Sequence, residues 1–232
     1  MKEPGFLQRL SSKSNLLVLI ILALLLGQIP YLSNFLSWQM TFFHEISHGL
    51  AALITGGRVL KIELHLSGSG LCYTSGGLSW LISFAGYAGA AFWGMLIYLA
   101  AGLFSKKYNH IPAVLLIAVL VASALLYARD IQSWSIIALI IVFYSLAIRF
   151  RGKPALGLGL KLCGLYILMD ALKAPAALFR RREVSDAVNL AAQTGLPQFF
   201  WIILWLATSA GCLFFIWRLQ KNQPCTPEDI SL

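Results

Sequence analysis

Seven apolar stretches constrain this chain more than anything else in it. They lie near 16–32, 36–54, 78–104, 111–128, 132–148, 162–179 and 197–217. Each is long enough to cross a hydrocarbon layer about 30 Å thick at about 1.5 Å per helical residue. Of the 232 residues, 59% are hydrophobic and only 12% charged, which excludes an ordinary soluble domain. The expected fold is an all-α polytopic membrane protein with about seven transmembrane helices. It forms a single integral-membrane domain over 1–232, with polar tails at 1–15 and 218–232. The formal charge of +9 comes from Lys and Arg set between apolar runs, where they face anionic headgroups. No basic patch lies on a recognisable nucleic-acid module, so nucleic acid is not an expected partner; the bilayer is.

Lys2, Arg9 and Lys13 before LLVLIILALLL look like the start of a signal peptide, but the run ends in GQIPYLSNF, which offers no small-x-small cleavage site. The first apolar stretch is therefore read as an uncleaved span. Cys72, Cys163, Cys212 and Cys225 show no paired spacing and read as small hydrophobes, neither a disulfide frame nor a zinc knuckle. The tight Arg129–Asp130 connection predicts that the fourth and fifth spans are antiparallel neighbours.

One segment departs from helical periodicity. LKIELHLS alternates strictly, with Leu60, Ile62, Leu64 and Leu66 on one face and Lys61, Glu63, His65 and Ser67 on the other. Period two predicts a strand, GSG turns it and LCYT returns it. The result is a re-entrant or interfacial β-hairpin at 58–76, between the second and third spans.

The second span carries TFFHEISHGLAALITGG. His44 and His48 stack on one helical face four residues apart, where they can grip one ion. Glu45 projects between them towards the position a water would take. Zinc lowers the pKa of water bound to it to about 7, and a neighbouring carboxylate then serves as general base. Ionisable groups in mid-span are costly and by default mark a functional site.

A catalytic zinc needs a third protein ligand. Among the acids other than Glu45, Asp170 in GLYILMDALKAP is the only one in mid-span, and its depth matches that of the histidines, so it is the expected ligand. The rival is Asp186 in REVSDAVNLAAQTGLP. There Ser185 reads as an N-cap, Asp186 as a first-turn acid, and Gly195 with Pro197 as the stop of a short helix. Gly49, Ala51 and Ala52, with the run FAGYAGAAFWG, let helices approach closely enough to close such a site. His65 and His110 read as loop residues, with His65 a candidate for substrate contact.

Taken together, HEISHGLAALITGG, the hairpin ending GSGLCYTSGG, LISFAGYAGAAFWG, LMDALKAP, SDAVNLAAQTGLP and the Trp-rich last span resemble the site-2 protease family of intramembrane zinc metallopeptidases, in its short B-type bacterial branch. The resemblance covers roughly Trp38 to Ala210. It implies a Zn2+ cofactor held by His44, His48 and Asp170, with Glu45 as base. It also implies cleavage of a single-span membrane-protein substrate, in the plasma membrane. The hairpin resembles the family's re-entrant β element, whose logic is that a peptide bond inside a helix is shielded and must first be extended along a strand edge. Ile62, Leu64, His65 and Tyr87 are the expected substrate-binding residues. Two differences stand out. MDALKAP replaces the usual Asn-Pro-Asp-Gly type sequence, and the Gly-rich helix lacks its usual Asn, leaving Tyr87 as the substitute donor. These differences motivate the alternative, a catalytically inactive zinc-binding adaptor or chaperone of the same fold.

Overall fold

A computed structural model describes residues 16–180 and 185–222. The elements are α1 (Leu16–Leu26), α2 (Leu32–Ile54), β1 (Arg58–Leu64), β2 (Gly70–Ser75), α3 (Ser79–Leu103), α4 (Ile111–Tyr127), α5 (Ile131–Ile148), α6 (Pro154–Ala177), α7 (Asp186–Thr194) and α8 (Gln198–Asn222). The N-terminal tail, Arg181 to Glu183, and Cys225 lie outside the described residues. The last helix runs to Asn222, past the expected start of the polar tail at 218.

The chain is a helical membrane protein, and the seven-span expectation is met in part. Four of the described helices, α3, α5, α6 and α8, are long and apolar enough to cross a membrane. α1 has 11 residues and α4 has 17, both short for a perpendicular crossing. α2 has 23 residues, but Gln39, Thr41, His44, Glu45, Ser47 and His48 make it too polar to join that class. It lies instead inside the bundle, with Gln39 at 1% and Glu45 at 5% exposure. α6 begins at Pro154, not Leu162, with the proline in the first turn, where its missing N–H costs nothing.

Small residues let α3 and α6 cross in near contact. A Cβ on Gly94 would lie 2.7 Å from the Gly164 carbonyl oxygen, and a Cβ on Gly164 equally close to that of Gly94. α4 and α5 pack as the antiparallel pair expected from their short connection. Cys163 and Cys212 are buried, and no disulfide occurs among the described cysteines.

The two strands form an antiparallel hairpin with Ile62 opposite Cys72 and Leu64 opposite Gly70. Ile62 and Leu64 point into the core, at 2% and 1% exposure. A β-bulge between Val59 and Lys61 breaks the register, so Leu60 does not share their face and is half exposed. The hairpin leaves the end of α2 and runs back along it. Val59 packs against Gly49, Thr41 Oγ1 donates to the Gly68 carbonyl at 2.6 Å, and Trp38 Nε1 donates to that of Leu66 at 3.2 Å. From Thr55 back to Trp38 is about 26 Å of helix.

Candidate metal centre

On α2, His44 and His48 project from one face, and their Nε2 atoms lie 3.0 Å apart. The Asp186 carboxylate meets both, with Oδ2 at 3.1 Å from His44 Nε2 and 3.4 Å from His48 Nε2. Donors on a tetrahedral zinc with bonds of about 2.0–2.1 Å stand about 3.3 Å from one another. The three separations sit around that value, and two imidazoles with one carboxylate form a recognised zinc donor set. The residues therefore fit the ion.

Neighbouring groups prepare this arrangement. His48 Nδ1–H donates to the Ile82 carbonyl at 2.6 Å, which leaves Nε2 with its lone pair towards Asp186 and His44. His44 Nδ1 is buried without a hydrogen-bond partner, and its ring is held by Tyr87, edge-on at 4.5 Å. Tyr87 packs in turn on the fully buried Trp205, whose Nε1–H donates to the Phe84 carbonyl at 2.9 Å. α3 can come this close only because of Gly86. A Cβ there would stand 2.5 Å from His44 Cε1 and from His48 Nε2. Ser47 lies against Gly89 one turn on.

Asp186 arrives by a short amphipathic helix. The Ser185 hydroxyl caps its start by accepting from Val188 N–H at 3.4 Å, and Gly195 ends it in the left-handed region at φ 74°, both as expected from the sequence. Ala187 and Leu190, each at 0% exposure, dock α7 into a cluster with Ala88, Trp201 and Trp205. That docking aims the first-turn carboxylate at the histidines.

Asp170 does not join them. Its carboxylate faces Lys173 at 3.8 Å, on the partly exposed side of α6, while Gly164, Leu168, Ala171 and Pro175 form the buried side. The depth argument holds, since His48 lies sixteen residues after Leu32 and Asp170 sixteen after Pro154. Depth is only one coordinate, however, and rotation about the α6 axis points Asp170 away from the histidines. The acid brought to the histidines is Asp186. Its sequence signal was the capped helix whose apolar residues demand a docking site against the bundle.

Glu45 is 5% exposed and within electrostatic reach of His44, His48 and Asp186, with the Cys72 backbone N–H donating to it. Gly70 makes room for it, since a Cβ there would lie 2.8 Å from Glu45 Cγ. Of the expected substrate-binding residues, Tyr87 borders the centre. Ile62 and Leu64 turn their side chains into the core and their outward backbone groups to the α4–α5 corner, so the structure does not bring these two to the centre. His65 pairs with Gln132, with Nδ1 at 3.2 Å from Oε1. On the hairpin's other face, the hydrogen bond from Lys61 at 2.6 Å holds Glu63 below the usual carboxylate range.

An HExxH helix sunk in an apolar helical bundle, met by a distant aspartate and flanked by a β-hairpin, is the layout of a membrane metallopeptidase site. The family model described as Peptidase M50B-like matches residues 16–216, and the chain belongs to this family, which is that of the site-2 proteases. No curated protein and no solved structure matches it.

Proposed function

We propose that this protein is an intramembrane zinc endopeptidase that hydrolyses a peptide bond in or near a transmembrane segment of a membrane-protein substrate, as a multi-pass protein of the plasma membrane. The observation that carries the reading is the convergence of His44, His48 and Asp186 beside a buried Glu45. These three side chains would hold the ion, and when bound it supplies Lewis acidity to water and to the scissile carbonyl.

The chain's own residues do the rest. Glu45 takes a proton from the attacking water as its oxygen adds to the carbonyl carbon. The carboxyl then passes that proton to the nitrogen as the C–N bond breaks, and the second proton of the added water follows it, releasing a carboxylate and an ammonium group. Tyr87, beside His44, is positioned to contact the reacting carbonyl region. Burial of the cluster keeps bulk water away from the charges that develop.

The hairpin supplies the extended template. Within the described sheet β2 has β1 as its one neighbouring strand, and an incoming substrate segment would add along its other side. The Cys72 N–H directed at Glu45 places that edge alongside the base, so a substrate segment paired there lies next to the proton acceptor.

The test is Glu45→Gln in zinc-loaded protein, co-expressed with a library of tagged single-span proteins. Zinc content stays at the wild-type level, because all three proposed ligands remain. Released fragments fall by at least about 100-fold, the lower end for loss of a general base. Identical fragments and rates from both proteins would remove Glu45 from the mechanism.

A further inference from the structure

The hairpin has two outer edges, and the structure treats them differently. The corner between α4 and α5 occupies the edge of β1. Ala128 forms a parallel bridge with Ile62, and the Leu64 backbone N–H donates to Ser133 Oγ at 2.8 Å. Ser133 is fully buried and passes the bond on, with Oγ–H donating to Asp130 Oδ2 at 2.6 Å. Asp130 is held in turn as the N-cap of α5, its Oδ1 accepting from Ser133 N–H at 2.8 Å. Beside this chain His65 meets Gln132.

Alternation in an antiparallel pair then fixes the rest. Ile62 and Leu64 direct their backbone groups outward to the corner, so their partners Cys72 and Gly70 direct theirs to the opposite edge, on the side of Glu45.

We infer that Asp130 and Ser133 are positioning residues for substrate. By closing the β1 edge and setting the height of the hairpin, they leave β2 beside Glu45 as the edge to which an incoming strand adds. The inference rests on the strand-docking role proposed above. It assigns Asp130 and Ser133 no contact with the metal ligands and no part in the chemical step.

The logic is energetic as well as geometric. An unpaired β1 edge is a second template for the same extended segment, and a strand bound there lies a hairpin's width from the base. A buried serine that accepts from one backbone group and donates to a carboxylate blocks that edge without a side chain in the substrate's path. Loss of its hydroxyl leaves the Leu64 N–H buried and unsatisfied, which frees the hairpin to shift.

The experiment uses full-length zinc-loaded protein in detergent, as wild type, Ser133→Ala and Ser133→Thr. The probe is a fluorescein-labelled synthetic single-span peptide with a Gly-rich centre that opens readily into strand. Amide hydrogen exchange at Leu64 accelerates about tenfold in Ser133→Ala, and the half-saturating probe concentration rises about fivefold to tenfold, the range for one buried hydrogen bond. The turnover number and zinc content stay within about twofold of wild type. Ser133→Thr, which keeps the hydroxyl, restores both exchange and KM. Unchanged exchange at Leu64, a fall in turnover number with KM unmoved, or a threonine variant that behaves like alanine overturns the inference. If wild type binds the probe but does not cut it, fluorescence anisotropy replaces KM. A weaker complex in Ser133→Ala then still supports the positioning role, equal affinities overturn it, and absence of cleavage counts against the peptidase reading alone.

Discussion

Asp186 Oδ2 stands 3.1 Å from Nε2 of His44, although the two residues belong to helices separated by most of the chain. A first-turn carboxylate on a nine-residue helix thus completes a cluster begun by HExxH on a helix threaded through the bundle. The apolar docking of Ala187 and Leu190 carries that carboxylate into place.

Gly86→Ala should abolish metal binding with the bundle intact. The added Cβ would sit 2.5 Å from atoms of both histidine rings, and one ring must rotate away. Zinc measured per chain on purified protein is expected to fall at least about tenfold, as it does when outer-shell support of a ligand is lost. Circular dichroism should be unchanged. Full zinc occupancy in this variant would contradict the close contact between α3 and the centre.

Gly70→Ala separates chemistry from metal binding. A Cβ here would press on Glu45 Cγ at 2.8 Å and on Thr41 Cγ2 at 2.7 Å, so Glu45 or the hairpin must move. Zinc content should stay at the wild-type level while the turnover number drops by about 100-fold, the lower end for a displaced general base. Loss of zinc together with activity would show that the hairpin supports the ligands and not the base.

Asp130 gives the hairpin a pH dependence. Burial disfavours its charge, but hydrogen bonds from the Ser133 side chain and backbone and from the Gln132 backbone outweigh this and hold its carboxyl below the ordinary value. A depressed folded-state pKa contributes stability that is fully present above the unfolded value, about 3.9, and is lost as pH falls through the folded one. Exchange at the Leu64 amide should therefore quicken as pH drops below about 4, after correction for intrinsic exchange. In Asp130→Asn that acid-dependent step should vanish. Retention of the step in the variant would assign it to another group.

Much of this arrangement was legible in the residues. HEISH announced two clustered histidines with a buried glutamate beside them, the alternation of Ile62 and Leu64 announced a strand, and Ser185 with Gly195 bounded a short helix. These signals are local, set by spacing within one element. What escaped was long-range. Asp170 has the right depth and the wrong rotation, and the rotation of α6 is set by its contact with α3 through Gly94 and Gly164. The bulge that turns Leu60 outward, and the bond from Leu64 to Ser133, likewise depend on which distant segment packs against the hairpin. The expected seven spans blurred for a similar reason: α2 tolerates its polar residues because neighbouring helices, not lipid, surround them.

Zinc stoichiometry in purified wild type, Asp186→Ala and Asp170→Ala tests the central claim most directly. The account predicts about one zinc per chain in wild type, retention in Asp170→Ala, and a loss of at least about tenfold in Asp186→Ala, where one of three protein ligands is gone. Zinc lost from Asp170→Ala and kept by Asp186→Ala would contradict the centre described here and return the third ligand to α6.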